Sequence, residues 1–129
     1  MEVVADASAL LAVVLDEPER DVIIEATEDA VLTAPEALPF EIGNALTAMR
    51  KRRRIEEEAV LPAWEAIQKI PVRLISIDVG AAISLALAHG LYAYDAYYLH
   101  CALALRRPLL TLDRGMRATA KDLGIQLSI

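Results

Sequence analysis

The apolar positions of this chain fall into short runs separated by longer stretches of helical period. Val3-Val4-Ala5 predicts a buried strand that stops at Asp6, and Ala7–Leu15 predicts a helix that breaks at Asp16-Glu17-Pro18. Arg20–Thr27 predicts a second short helix, with Asp16 and Glu17 ahead of it as capping residues. Val31-Leu32-Thr33 predicts a second strand, closed by Pro35. Pro39 suits the first turn of a helix running to about Arg53, because its missing N–H would be unpaired there anyway. Ile55–Ile70 predicts another helix, with Pro62 tolerated only near a turn or kink. Val72–Ile77 predicts a strand, after which Asp78 caps a helix over Val79–His89 that Gly90 stops. Tyr94–Arg106 predicts a helix, Leu109–Leu112 a strand opening on Asp113, and Arg114–Leu123 a helix followed by Gly124. Ile125–Ser128 predicts a last short strand.

Short apolar strands alternating with helices are the pattern of a parallel sheet covered on both faces. The expected fold is therefore α/β, three-layered (α/β/α), with a parallel sheet of four to five strands. No repeat or linker divides the 129 residues, so a single domain over 1–129 is expected. A hydrophobic share of 56% and a charged share of 25% suit a packed core and exclude a disordered tail. The longest stretch free of Asp, Glu, Lys and Arg, Val79–Tyr94, is interrupted by two glycines and is too short for a membrane span. The opening MEVVADAS has neither a basic segment nor a long apolar one, so no secretory signal is read and a cytoplasmic location is expected. One cysteine, Cys101, excludes an internal disulfide and a cysteine-based zinc site. The net charge of −6 argues against broad non-specific binding to nucleic acid, but leaves room for a local basic patch and for a site that gathers carboxylates.

In open α/β sheets the site forms beyond the carboxyl ends of the strands. Four acids are expected there. Asp6 ends the first strand and Asp113 ends the Leu109–Leu112 strand, while Glu41 and Asp95 fall in the first turns of the helices they open. Each also has an ordinary use, as a helix cap or as a negative charge at the positive end of a helix dipole. Together they suit a hard divalent cation such as magnesium, which takes oxygen ligands and neutralises phosphoryl charge. No Ser-His-Asp set or glycine-rich phosphate loop competes, so the residues point to metal-assisted phosphodiester hydrolysis.

At these residues the sequence resembles the PIN domain family, in particular the VapC-type toxins of prokaryotic toxin–antitoxin pairs. The matching pieces are VVADASALLAVVLDEPE at Val3–Glu19, PEALPFEIGNAL at Pro35–Leu46, LAHGLYAYDAYYLHCAL at Leu87–Leu103 and PLLTLDRGM at Pro108–Met116, in family order. The resemblance implies a PIN fold and a magnesium- or manganese-dependent endoribonuclease. It implies that Asp6 and Asp95 hold the metal first, with Glu41 and Asp113 completing the pocket or binding a second ion. Ser8 fills the slot where family members carry Ser or Thr near the first Asp. The implied reaction is in-line attack of water on an RNA phosphodiester, with Glu41 or Asp113 orienting or deprotonating the water, leaving a 5′-phosphate and a 3′-hydroxyl. A small antitoxin that inhibits the enzyme and a homodimer formed through apolar helix faces are implied as partners. The segment Lys51–Arg73 matches nothing diagnostic.

Supporting roles fall on two further residues, Asn44 and Thr111, and on one basic run. Asn44 shares a helix face with Glu41 and is a candidate to orient a carboxylate or water, or an ordinary surface amide. Thr111 is placed on the same side of its strand as Asp113 and reads first as a strand-favouring β-branched residue, second as a hydroxyl that can meet a ligand or carboxylate. Arg50-Lys51-Arg52-Arg53-Arg54 is the only basic run and reads either as a solvated helix end or as a candidate RNA-binding arm, with Glu56-Glu57-Glu58 positioned to pair with it. Tyr92, Tyr94, Tyr97 and Tyr98 flank Asp95 and are read first as packing residues and second as a base-stacking surface. Two other functional classes compete. One is a catalytically silent PIN-like module that binds RNA or protein. The other is a phosphatase or phospho-receiver, disfavoured because Ser8 and Ala7 stand where those chemistries want acids.

Overall fold

Val3, Val4 and Ala5 are all fully buried, which a strand achieves only when both faces of its sheet are covered. In the computed structural model, which describes residues 1–129, four strands and seven helices follow one another. They are β1 (Glu2–Ala5), α1 (Ala7–Val14), α2 (Arg20–Thr27), β2 (Val31–Pro35), α3 (Leu38–Lys51), α4 (Glu57–Gln68), β3 (Val72–Ile75), α5 (Val79–His89), α6 (Ala93–Leu105), β4 (Leu109–Leu110) and α7 (Arg114–Asp122). The strands form one parallel sheet in the order β3-β2-β1-β4, with Val4 opposite Leu109 and Val3 opposite Leu32. Alternation along β1 splits the core between the two faces. Val4 packs with Leu10, Ile42, Leu46, Tyr98 and Leu99, while Val3 and Ala5 pack with Ala9, Ala12 and Ile23 on the other side. The fold is α/β, as its pattern predicts.

The chain order reverses at β1, whose neighbours β2 and β4 are reached in opposite directions. The crevice beyond the ends of β1 and β4 is thus the topological switch point, where ligands bind in such sheets.

Several boundaries differ from the sequence reading, each with a local cause. β4 stops at Leu110: Asp6 N–H still donates to the Leu110 carbonyl at 3.1 Å, but Thr111 then turns its hydroxyl to the Asp6 carboxylate. Thr111 and Asp113 therefore lie beyond the strand rather than side by side on it. Ile125–Ser128 is reduced to one parallel bridge, Leu109 to Leu127, made by Leu109 N to Gln126 O and Ser128 N to Leu109 O. β3 ends at Ile75, two residues early. α3 ends at Lys51 because Arg53 takes a left-handed φ of 55°, letting Arg53 N–H reach the Arg50 carbonyl and Arg54 N–H the Met49 carbonyl, both at 2.9 Å. Ile55 stays outside α4, its carbonyl held by the Arg50 guanidinium at 3.2 Å, and α4 runs unbroken through Pro62. Asp16 and Glu17 do not cap α2: the residue before that helix is Glu19, with no side-chain cap, and Asp16 instead pairs with Arg20 at 3.8 Å. Asp78 does cap α5, accepting from Ala81 N–H, and Gly90 ends it with a φ of 65°. No helix is long and apolar enough to cross a membrane.

Candidate active site

Asp6 follows directly from β1 and is 2% exposed, a carboxylate carried into the core by the strand before it. Burial without partners would be costly, and Asp6 has three. Its Oδ1 accepts from Ser8 Oγ at 2.6 Å and from Ala9 N–H at 3.2 Å, which also caps α1. Its Oδ2 accepts from Thr111 Oγ1 at 2.6 Å. The two hydroxyls are themselves held, since Ser8 Oγ accepts from Leu112 N–H at 3.0 Å and Thr111 Oγ1 from Asp113 N–H at 3.1 Å. Asp113 then caps α7, its Oδ1 accepting from Met116 N–H at 2.8 Å. The cap and site readings of Asp6 and Asp113 are thus compatible.

Glu41 enters from the first turn of α3, behind Pro39, and Asp95 from the first turn of α6. Burial is the largest cause raising the carboxyl of Glu41, to about 7; the Tyr98 hydroxyl lowers it, and the charges of Asp6, Asp95 and Asp113 raise it further. Burial also raises Asp95, followed by the charges of Asp113 and Asp6. For Asp6, burial raises the pKa against the lowering effect of its hydrogen bonds, and Asp113 adds a smaller rise. All four acids therefore act on one another, yet no three converge closely enough to enclose an ion as the side chains lie.

Ser8, Glu41 and Asp113 line an open crevice of about 350 Å³ together with Glu17 and Arg54. Glu17 and Arg54 come from loops, where no periodicity in the sequence marks what they face. Tyr98, read as packing, is fully buried, but it also bears on the site. Its hydroxyl and Glu41 Oε2 are buried without a hydrogen-bond partner, while each shifts the other's proton affinity. The available signal was its position three residues after Asp95, on the same helix face. Asn44 is exposed, with no side-chain bond to the acids. In the basic run, Arg50 is tied to Ile55, Lys51–Arg54 are exposed, and none of these residues pairs with Glu56, Glu57 or Glu58.

A parallel sheet with buried and facing carboxylates at its switch point defines a class of α/β protein with an acidic crevice. The model of the PIN domain matches residues 3–122, and the chain belongs to that family. It is 33% identical over 123 residues to Ribonuclease VapC3 of Pyrobaculum aerophilum, covering 88% of this chain and 91% of that protein. Among solved structures it is similar to PAE2754 from Pyrobaculum aerophilum, with a TM-score of 0.70, 25% identity, and 92% and 78% of the two chains covered. It shares its fold with VapBC2 from Rickettsia felis bound to a DNA fragment from their promoter, at a TM-score of 0.66, 12% identity, and 98% and 97% coverage.

Proposed function

We propose that this chain is a divalent-metal-dependent endoribonuclease of the VapC type, inhibited by a cognate antitoxin. Membership of the PIN family and the likeness to a ribonuclease support the activity. The observation that carries the reading is the contrast between the buried carboxylate of Asp6 and the half-buried one of Glu41. Asp6 is fixed through both oxygens, whereas Glu41 Oε2 is buried with no partner. Native proteins rarely leave such an atom unsatisfied without a functional reason.

The donor set fits magnesium or manganese: four carboxylates and no histidine or thiol among them. Oδ1 of Asp6 already accepts two hydrogen bonds, so Oδ2, which accepts one, is the oxygen free to face an ion. Asp95, Glu41 and Asp113 would complete the set. A divalent ion there supplies positive charge against a phosphoryl oxygen and acidifies nearby water.

The chain's own residues supply the rest. Ser8 and Thr111 hold Asp6 in one orientation. Glu41, with a carboxyl near 7, or Asp113 orients the attacking water and takes its proton. Oxygen attacks phosphorus in line, the bond from phosphorus to the 3′-oxygen breaks, and that oxygen takes a proton from solvent. The products are a 5′-phosphate and a 3′-hydroxyl.

Val79, Ile83 and Leu87 are exposed along α5 at four-residue spacing, which supports a homodimer through that face. The net charge of −6 suits a basic antitoxin.

The test is incubation of purified, antitoxin-free protein with total RNA in magnesium, manganese or EDTA. Fragments bearing 5′-phosphates, formed only with metal and lost in Asp6→Asn and Asp95→Asn, are expected. Intact RNA in every metal, with the protein folded, would overturn the reading in favour of a binding module.

A further inference from the structure

Arg54 is the one cation lining the acidic crevice, on the same wall as Glu41, Ala45 and Met49. The left-handed turn at Arg53 brings it there. By bonding Arg54 N–H to the Met49 carbonyl, that turn folds position 54 back along the last turn of α3, where the residue is exposed and lines the crevice. The turn is held at some cost, since a non-glycine residue occupies a positive φ. Arg54 takes part in none of the four ion pairs of the structure and in no side-chain hydrogen bond, although Glu17, Glu41 and Asp113 line the same crevice. The other members of the run differ: Arg50 bonds to the Ile55 carbonyl, and Lys51, Arg52 and Arg53 do not line this crevice.

A guanidinium that is free beside carboxylates retains its planar fork of donors for an incoming anion, and it suits a phosphate better than an ammonium does. We propose that Arg54 binds a backbone phosphate of the RNA strand next to the scissile bond, setting the register of the strand in the crevice. This rests on the ribonuclease reading and assigns to one residue what the sequence spreads over five. The arginine also offsets the repulsion that a polyanionic strand meets on entering an acidic site.

The experiment compares wild type, Arg54→Gln and Arg54→Lys, with Lys69→Gln as a control for loss of one positive charge elsewhere. Cleavage of a short single-stranded RNA in magnesium gives KM and kcat. Binding of the same RNA to the Asp6→Asn protein, titrated with salt, is read separately. Arg54→Gln is expected to raise KM about tenfold, more than it changes kcat, and to reduce the slope of log affinity against log salt by about 0.7, the value of one phosphate contact on a single strand. Arg54→Lys restores the slope and recovers KM only in part. Lys69→Gln moves neither. An unchanged slope and KM in Arg54→Gln overturns the proposal while cleavage by the wild type leaves the ribonuclease reading standing. A loss in Arg54→Gln confined to binding of the antitoxin overturns it in favour of a partner contact. RNA that is neither cut nor bound by the wild type overturns both.

Discussion

The hydroxyl of Thr111 donates to Oδ2 of Asp6 at 2.6 Å, joining two residues 105 positions apart in sequence and closing the switch point between β1 and β4. Oγ1 of Thr111 in turn accepts from Asp113 N–H, so one side chain sets the position of two acids. Thr111→Val keeps the shape and removes both bonds. A hydrogen bond to a buried charge is worth more than a neutral one, and the variant should lose about 2 kcal/mol of stability at neutral pH. RNA cleavage should fall in parallel. Thr111→Ser, which keeps the hydroxyl, should recover most of both. Urea unfolding and cleavage assays on the pair check this; equal losses in the two variants would reduce Thr111 to a packing residue.

Asp95 pays for its place with burial and with the charges of Asp113 and Asp6, which raise its pKa. Asp95→Asn should therefore stabilise the protein in EDTA by about 1 kcal/mol, a figure already reduced for solvent screening at a half-buried position. The gain should reverse in magnesium, because the variant gives up ligand-linked stabilisation. Melting curves with and without magnesium test both halves.

Glu41 gives a pH dependence of definite sign. Its carboxyl is raised from 4.5 to about 7, chiefly by burial, so the folded state holds the proton more tightly than the unfolded chain does. The stability this contributes is fully present below 4.5 and is lost as pH rises through about 7. In EDTA, the difference in urea midpoint between wild type and Glu41→Gln should shift in favour of the variant across that window. A constant difference from pH 4.5 to 7.5 would show that Glu41 titrates normally.

Arg53 ends α3 with a φ of 55°, a conformation in which glycine carries no Cβ penalty. Arg53→Gly should raise stability by about 0.5–1 kcal/mol and leave the turn that places Arg54 intact. Thermal melts check the first point. Retention of KM for RNA checks the second.

How much of this was legible in the sequence depends on the range of the interaction. Val3-Val4-Ala5 and the other apolar runs announce buried strands because burial on both faces leaves no polar position to alternate with. Asp6, Glu41, Asp95 and Asp113 were legible as site candidates because each stands at the end of a strand or the start of a helix, and the topology collects those ends. Boundaries were less legible. The last strand shrinks to a bridge at Leu127, and Ile55 drops out of α4, because the deciding bonds come from Leu109 and from the Arg50 guanidinium. Tyr98 reads as a core aromatic and is one. That its hydroxyl lies buried beside Glu41 depends on how α3 and α6 meet, which neither helix encodes alone. Glu17 and Arg54 reach the crevice from loops, and only the left-handed turn at Arg53 explains the second.

The proposed divalent-ion site rests first on Asp6 and Asp95, with Glu41 and Asp113 beside them. Its most direct test is manganese binding followed by the electron paramagnetic resonance of the free ion, in wild type, Asp6→Asn and Asp95→Asn, with circular dichroism confirming that each is folded. The account predicts that wild type takes up manganese, that magnesium displaces it, and that either substitution weakens binding about tenfold or more. Equal manganese affinity in all three folded proteins would contradict it.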